Sequence, residues 1–543
     1  MKIEYIDGKL LKDMLVSGAN NLENHKELVD KLNVFPVPDG DTGTNMSLTI
    51  ASAIKEVLKI SSDNINDIGK AASKGSLMGA RGNSGVILSQ LLRGFSKSIE
   101  DKEKLSTIDI ANALKEGADT AYRAVIKPIE GTILTVARET GEYALKIAKK
   151  EKNVKTFFEK VIDAANRSLD KTPEILKTLK EAGVVDSGGK GLVIIYEGAY
   201  KALIGEPVKN EKYFIEEYSE DVFNKNIKDD IKFSYCTEFI LESDKIDSNN
   251  IKKIIEKYGD SLIVVGDDSL IKIHIHTNNP GLVLEEALKY GQLNKIKIDN
   301  MRIQHENRLV EEYNNDSIKE ETIEIKKYGF IATAMGDGIA SIFKDFGVDY
   351  VIEGGQTMNP STEDFLEGID NINAENIIIL PNNSNIVMAA NQAREISNKN
   401  IIVIPSKTIP QGFAALLAFN SEADYISNEK AMKYALNNIK TGQVTFAVRD
   451  TNINGVDIKE GDIIGIGEGE IKKSGKDKKE VTLSLIEELV DEDNEIVTLF
   501  YGKEIDKKHA EEIRDIIEEK YDYLDVEIYY GGQPLYYYII SVE

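Results

Sequence analysis

The apolar residues of this chain hold one period for their first two hundred positions and then change it, which limits what the whole can become. Leu11, Met14, Leu15, Ala19 and Leu22 recur at helical spacing, and the same stripe runs through residues 44–59, 80–97, 106–126 and 131–149. A pattern that stays helical from Leu10 to about Leu203 predicts an all-α bundle of about eight helices, with its glycine-rich turns at the ends. Gly205-Glu206-Pro207 breaks that pattern, and residues 206–230 are charged and weakly patterned, as a linker would be. From Phe233 short alternating stretches begin, predicting an α+β unit over residues 231–315. After the polar run 314–324, stretches such as 329–333, 376–380 and 400–404 alternate with helical ones. That is the signature of a parallel α/β sheet, so a third region is expected over 316–543, with a last α+β piece from about Val444. A multidomain chain suits 543 residues, a length that suggests roughly three or four units.

Charge and cysteine content narrow the function. The 92 acidic side chains outnumber 67 Lys and Arg, and a net charge of -25 opposes non-specific contact with nucleic acid or an anionic membrane. Partners should be proteins or small molecules. One cysteine excludes an internal disulfide framework, Met1 to Glu4 begin a polar stretch, and no apolar run has transmembrane length. A cytoplasmic protein without a membrane span is expected.

The stretch from Val34 to Met46, Val-Phe-Pro-Val-Pro-Asp-Gly-Asp-Thr-Gly-Thr-Asn-Met, places two carboxylates and several backbone amides in one turn before a helix. Mg²⁺ takes hard oxygen ligands, commonly one or two carboxylates plus nucleotide phosphates, and a helix start offers unpaired N–H groups to an anion. Asp39 and Asp41 are therefore the candidate metal ligands, and Thr42, Gly43, Thr44 and Asn45 the candidate phosphate contacts. Ordinary N-capping would use the same residue types. Two more Gly/Ser clusters, residues 79–85 and 186–191, favour a nucleotide site. Thr132 and Ser187 also read as plain N-caps, and His25, within a helix, reads as structural.

These segments, together with residues 75–85, Lys127 to Thr132 and Val185 to Gly189, resemble the nucleotide-binding, all-helical DhaL domain of dihydroxyacetone kinases over about the first 205 residues. The resemblance implies that Asp39 and Asp41 bind the Mg²⁺ ions that carry ATP, and that Thr42 to Asn45 touch phosphates. It further implies that Asn83, Ser84, Thr132, Asp186 and Gly188 complete the pocket. The family's third acid falls where this chain has Asn33 and Val34, and its phosphate-contacting arginine has only Arg81 as a counterpart.

Further along, residues 270–277 alternate so that Lys272, His274 and His276 share one strand face and isoleucines the other. Cys236 lies on another predicted strand, with Glu238 on its face. Cys236, His274 and His276 form an acceptable Zn²⁺ set, with Glu238 or water as a fourth ligand, while a polar strand face and a buried thiol remain the alternative. In the last region, Gly354 to Phe365, Asn382 to Ser384 and Ser406 to Thr408 follow strands and cap helices at carboxyl strand ends, where open α/β sheets place ligands. This half is similar to the DegV-like fold of bacterial fatty-acid-binding proteins. In that order of domains the chain resembles, over nearly its full length, the ATP-binding subunit of bacterial fatty acid kinase. The resemblance implies ATP-dependent phosphorylation of a fatty acid presented by a separate DegV-like lipid carrier, and a homodimer. A self-contained kinase of the dihydroxyacetone type and a non-enzymatic ATP- or lipid-sensing scaffold stay open beside it.

Overall fold

A computed structural model describes residues 3–34, 40–125, 127–209, 233–243, 246–266, 270–300, 325–355, 359–447, 451–453 and 456–543. Contacts divide the chain into two units, one made of residues 1–209 with 325–543 and the other of residues 210–324.

The first unit begins with ten helices: α1 (Gly8–Lys31), α2 (Thr42–Lys59), α3 (Ile65–Met78), α4 (Gly82–Ser98), α5 (Thr107–Ala124), α6 (Ile133–Ala148), α7 (Val154–Asp170), α8 (Thr172–Ile175), α9 (Lys177–Ala182) and α10 (Ser187–Leu203). Eight are long, and α8 and α9 are short turns joining α7 to α10. Their starts are set by side chains that take otherwise orphaned amides. Asp7 accepts from Leu10, Asn64 from Asn66 and Asp67, and Ser106 pairs with Asp109 in a capping box. Two apolar clusters fill the bundle, one around Leu11, Met14, Ile110 and Phe157, the other around Leu22, Met46, Leu88 and Leu192. Between them lies an apolar cavity of about 110 Å³.

The same unit continues with β5 (Lys326–Ala334), β6 (Tyr350–Glu353), β7 (Ala374–Leu380) and β8 (Asn400–Val403), a parallel sheet in the order β6-β5-β7-β8. Ile331 faces Tyr350 on one side and Ile379 on the other. The last seven residues of β5 are buried, as expected of a strand covered on both faces. Crossover helices Asp337–Asp345, Thr362–Asp370 and Val387–Ile396 cover it, Ser361 and Asp364 forming a capping box for the second. A six-stranded mixed sheet follows, built from β9 (Lys440–Phe446), β12 (Ile463–Gly467), β13 (Glu470–Gly475), β14 (Ile496–Tyr501), β15 (Asp525–Tyr530) and β16 (Tyr538–Val542). Its order is β13-β12-β9-β16-β14-β15, and a separate hairpin pairs β10 (Thr451–Ile453) with β11 (Val456–Ile458). The parallel-sheet domain packs on the helical one through a shared core: Ala80 and Val86 join Ile331, Phe365, Ile369 and Ile386 in one apolar cluster.

The second unit is an antiparallel sheet of β1 (Tyr235–Glu242), β2 (Gly259–Gly266), β3 (Leu270–Thr277) and β4 (Gln292–Asn300) in the order β2-β3-β1-β4. Ile271, Ile273 and Ile275 of β3 are fully buried with Phe239, Leu241, Ile251 and Val283, so the alternation of β3 sends its isoleucines into the core. No helix among the described residues is long and apolar enough to cross a membrane.

Phe365 is wholly buried in the cluster that joins the two domains of the first unit. Phe365→Ala should lower stability by about 3–5 kcal/mol, read as an earlier transition in chemical denaturation followed by tyrosine fluorescence.

Candidate functional site

The start of α2 lies against the starts of α10 and α4. Ser187 at the start of α10 donates to the Thr42 hydroxyl at 3.2 Å, joining the first turns of α10 and α2. Asp186, the N-cap of α10, accepts from Gly189 N–H at 2.7 Å and also from the Ile133 amide at the start of α6. The Arg81 amide, at the start of α4, donates to Thr49 Oγ1 of α2 at 3.2 Å. The start of α10 thus meets the starts of α2 and α6, and the start of α4 packs against α2, each helix start carrying a partial positive charge.

Two glycines make the approach possible. A Cβ at Gly43 would lie 2.2 Å from the Lys26 carbonyl oxygen, so α2 can start against α1 only without one. Gly82 has φ +59°, and a Cβ there would meet Asn45 Nδ2 at 2.5 Å.

Asp41 is the N-cap of α2 by position, yet its side chain accepts no capping bond from its own helix. Asp30, at the end of α1, performs that task instead. Its two oxygens accept from the Thr44 amide at 3.0 Å and the Thr44 hydroxyl at 2.9 Å, with a further bond from the Gly43 amide. Burial raises the Asp30 pKa, and those bonds together with Lys26 pull it back down. The Asp41 carboxylate, 8% exposed, is turned from the helix and accepts from Asn359 Nδ2 at 2.5 Å. A hard cation would find oxygen donors here, from Asp41 and from the Asn359 side-chain oxygen, which is buried and lacks a hydrogen-bond partner among the described residues.

The residues expected from sequence fall as follows. Asp41, Thr42, Gly43, Thr44 and Asn45 lie together in the first turn of α2 and its cap, and Asp39 lies outside the described residues. Asn83 and Ser84 are half-buried in the first turn of α4, where Asn83 Nδ2 donates to Asn385 Oδ1 at 2.8 Å. Thr132 caps α6 by position, but its hydroxyl bonds the Ile129 carbonyl rather than an amide of the helix. Asp186 and Gly188 are buried where α6 meets α10. Arg81 does not point into an open phosphate site: its Nη1 donates to the Asn359 carbonyl at 2.7 Å and lies 3.5 Å from Asp364. Val34 is core and Asn33 is buried, and an acid reaches this turn from α1, where Asp30 accepts from Thr44. His25 is exposed and its Nδ1 sits 2.7 Å from the Asn21 carbonyl.

In the second unit, Cys236 stands directly across from His276 in the β1–β3 register, and Glu238 across from His274. Directly opposed residues share a face, so the strands bring these four to one side of the sheet. His276 Nδ1 lies 3.8 Å from Asp260, and the side chains of Glu238 and His274 lie outside the described ones. Among the described residues no three His, Cys, Asp or Glu side chains form a metal-holding group.

Asp186 is fully buried, and desolvation pushes its pKa from 3.8 up to about 6 despite the two amides it accepts from. Ionising it in the folded chain costs roughly 3 kcal/mol more than in the unfolded chain, a penalty absent below pH about 4 and complete above about 6. Asp186→Asn removes that penalty. Its melting temperature relative to the unaltered protein should therefore rise between pH 4 and pH 7, measured by paired thermal scans.

Profiles of three domains match the chain: a DAK2 domain at residues 36–201, the middle domain of FakA-like fatty acid kinases at 232–308 and the C-terminal domain of the same FakA-like proteins at 329–543. Protein YloV of Bacillus subtilis is 47% identical over 556 residues, covering 100% of both chains. An uncharacterized protein of Staphylococcus aureus (strain USA300) is 44% identical over 550 residues, again covering 100% of both. Among solved structures, a DegV family protein from Ruminococcus gnavus matches with TM-score 0.30 and 14% identity, over 40% of this chain and 100% of that one. The dihydroxyacetone kinase of C. freundii, solved with AMP-PNP and Mg²⁺, matches with TM-score 0.29 and 16% identity, over 38% of this chain and 35% of that one.

Proposed function

The chain belongs to the FakA-like family of fatty acid kinases, and from that premise we propose that it is an ATP- and Mg²⁺-dependent kinase subunit that phosphorylates a fatty acid carboxylate to an acyl phosphate. The lipid is presented by a separate DegV-like carrier protein, and the kinase works as a cytoplasmic homodimer. One observation supports the reading above the others: beside the meeting starts of α2, α4 and α10 lies a buried carboxylate, Asp41, that its own helix does not use as a cap.

Asp41, with Asp39 of the same loop, holds Mg²⁺, which when bound neutralises phosphate charge. Thr42 and Ser84 offer hydroxyls and first-turn amides to phosphate oxygens, with the Asn45 and Asn83 side chains beside them, while Gly43 and Thr44 hold the start of α2 against Asp30. Thr132, Asp186 and Gly188 form the wall where α6 meets α10. Fixed amide donors act before the transferred group moves, so little reorganisation is left to the reaction itself. A carboxylate acceptor has a reference pKa of about 4 and is already ionised at neutral pH, so it needs no general base. A hydroxyl acceptor such as dihydroxyacetone would call for one.

The test incubates the full chain with labelled ATP, Mg²⁺ and a fatty-acid-loaded DegV-like carrier and traps the product with hydroxylamine. Acyl hydroxamate should form, and Asp41→Ala should reduce it by at least about a hundredfold with the fold retained. Turnover of dihydroxyacetone without a carrier would instead point to a small-molecule kinase. Lipid bound by this chain with no transfer would point to a scaffold.

The register of Cys236 opposite His276 supports a further site in the second unit, Zn²⁺ held by Cys236, His274 and His276. Elemental analysis should find one zinc per chain and a loss of it in Cys236→Ser; equal zinc in both would overturn this assignment.

A further inference from the structure

We propose that Asn359, from the carboxyl-terminal domain, is a positioning residue for the Asp41 carboxylate, so that the metal site is assembled from both ends of the chain. The inference rests on the reading of Asp41 as a metal ligand and adds a residue that belongs to no part of the helical domain.

Asn359 lies 318 residues from Asp41 and donates to its Oδ2 at 2.5 Å, with the same Nδ2 3.4 Å from Asn45 Oδ1. A hydrogen bond to an ionised carboxylate is among the stronger ones and fixes which way the oxygens face. That matters here because Asp30 has taken the Thr44 amide an N-cap aspartate would ordinarily use. Asn359 thus supplies the bond to a carboxylate that its own helix does not use as a cap.

The donor itself is rigidly held. Asn359 is 1% exposed, and its carbonyl takes Arg81 Nη1 at 2.7 Å. Two residues on, Ser361 bridges Arg81, and the Thr362 amide bonds the Ala80 carbonyl at 3.2 Å. Gly82 leaves the space for Asn45, the other side chain Asn359 approaches, since a Cβ there would lie 2.5 Å from Asn45 Nδ2. The second half of the amide is telling. Asn359 Oδ1 is buried with no hydrogen-bond partner among the described residues, a state that destabilises the fold unless something uses the oxygen. An oxygen acceptor beside a carboxylate is the donor set a hard cation or its bound water takes.

Mn²⁺ in the presence of ADP, followed by electron paramagnetic resonance on the full chain, reads the effect directly, with the melting temperature without nucleotide as the check on folding. Asn359→Ala should weaken Mn²⁺ about tenfold, the size seen when a partner of a ligating carboxylate is removed. Gln392→Ala loosens the same domain contact elsewhere, at its 2.7 Å bond to the Leu77 carbonyl, and should leave Mn²⁺ affinity unchanged. An unchanged affinity in Asn359→Ala, or an equal loss in Gln392→Ala, would overturn the inference. If the unaltered protein takes up no Mn²⁺ with ADP, or Asp41→Ala takes up as much, the metal reading itself falls.

Discussion

The bond on which the site depends is the one from Asp30 to the first turn of α2. A helix start must find acceptors for its orphaned amides, and the residue nearest to hand, Asp41, would be spent on that duty in an isolated helix. By sending Asp30 across from α1 to the Gly43 and Thr44 amides, the fold caps α2 from outside and leaves the Asp41 carboxylate turned elsewhere. Gly43 is the geometric condition for this, because only its missing side chain lets α2 begin against the Lys26 carbonyl.

A second constraint comes from the parallel sheet. The carboxyl ends of such strands are where open α/β sheets ordinarily receive ligands. In this chain the turns after β6 and β7 are directed at the helical domain, Asn359 reaching Asp41 and Asn385 reaching Asn83, over an apolar base that includes Ala80, Val86 and Phe365. The third turn stays within the sheet, where Ser406 and Asn382 hold each other at 2.7 Å.

Much of this is legible in the residues, and what is not has a common cause. The eight long helices, the parallel strands and the inward isoleucines of β3 are readable because periodicity is a local property. Ser361 and Asp364 announce a helix start by their spacing, and the start is there. The loop around Asp41 is visible as a cluster of Gly, Asp and Thr. The part of Asp30 in capping α2 escapes the sequence, because sequence distance says little where a crossing between two helices decides. Arg81 looks like a phosphate cation, and its partners, the Asn359 carbonyl and Asp364, lie too far along the chain for any window to reveal. Asn359 reads only as part of a capping turn for the same reason. Contacts that cross from one domain to another leave no period behind them.

That long separation has a consequence for how the molecule is made. A ribosome releases the aspartate loop early, and 318 further residues must be polymerised before the side chain that grips it exists. Through all that time the helical stretch lacks both this hydrogen bond and the apolar partners that Ala80 and Val86 find in the sheet domain. Translation order thus makes the bond to Asp41 one of the late contacts of the first unit.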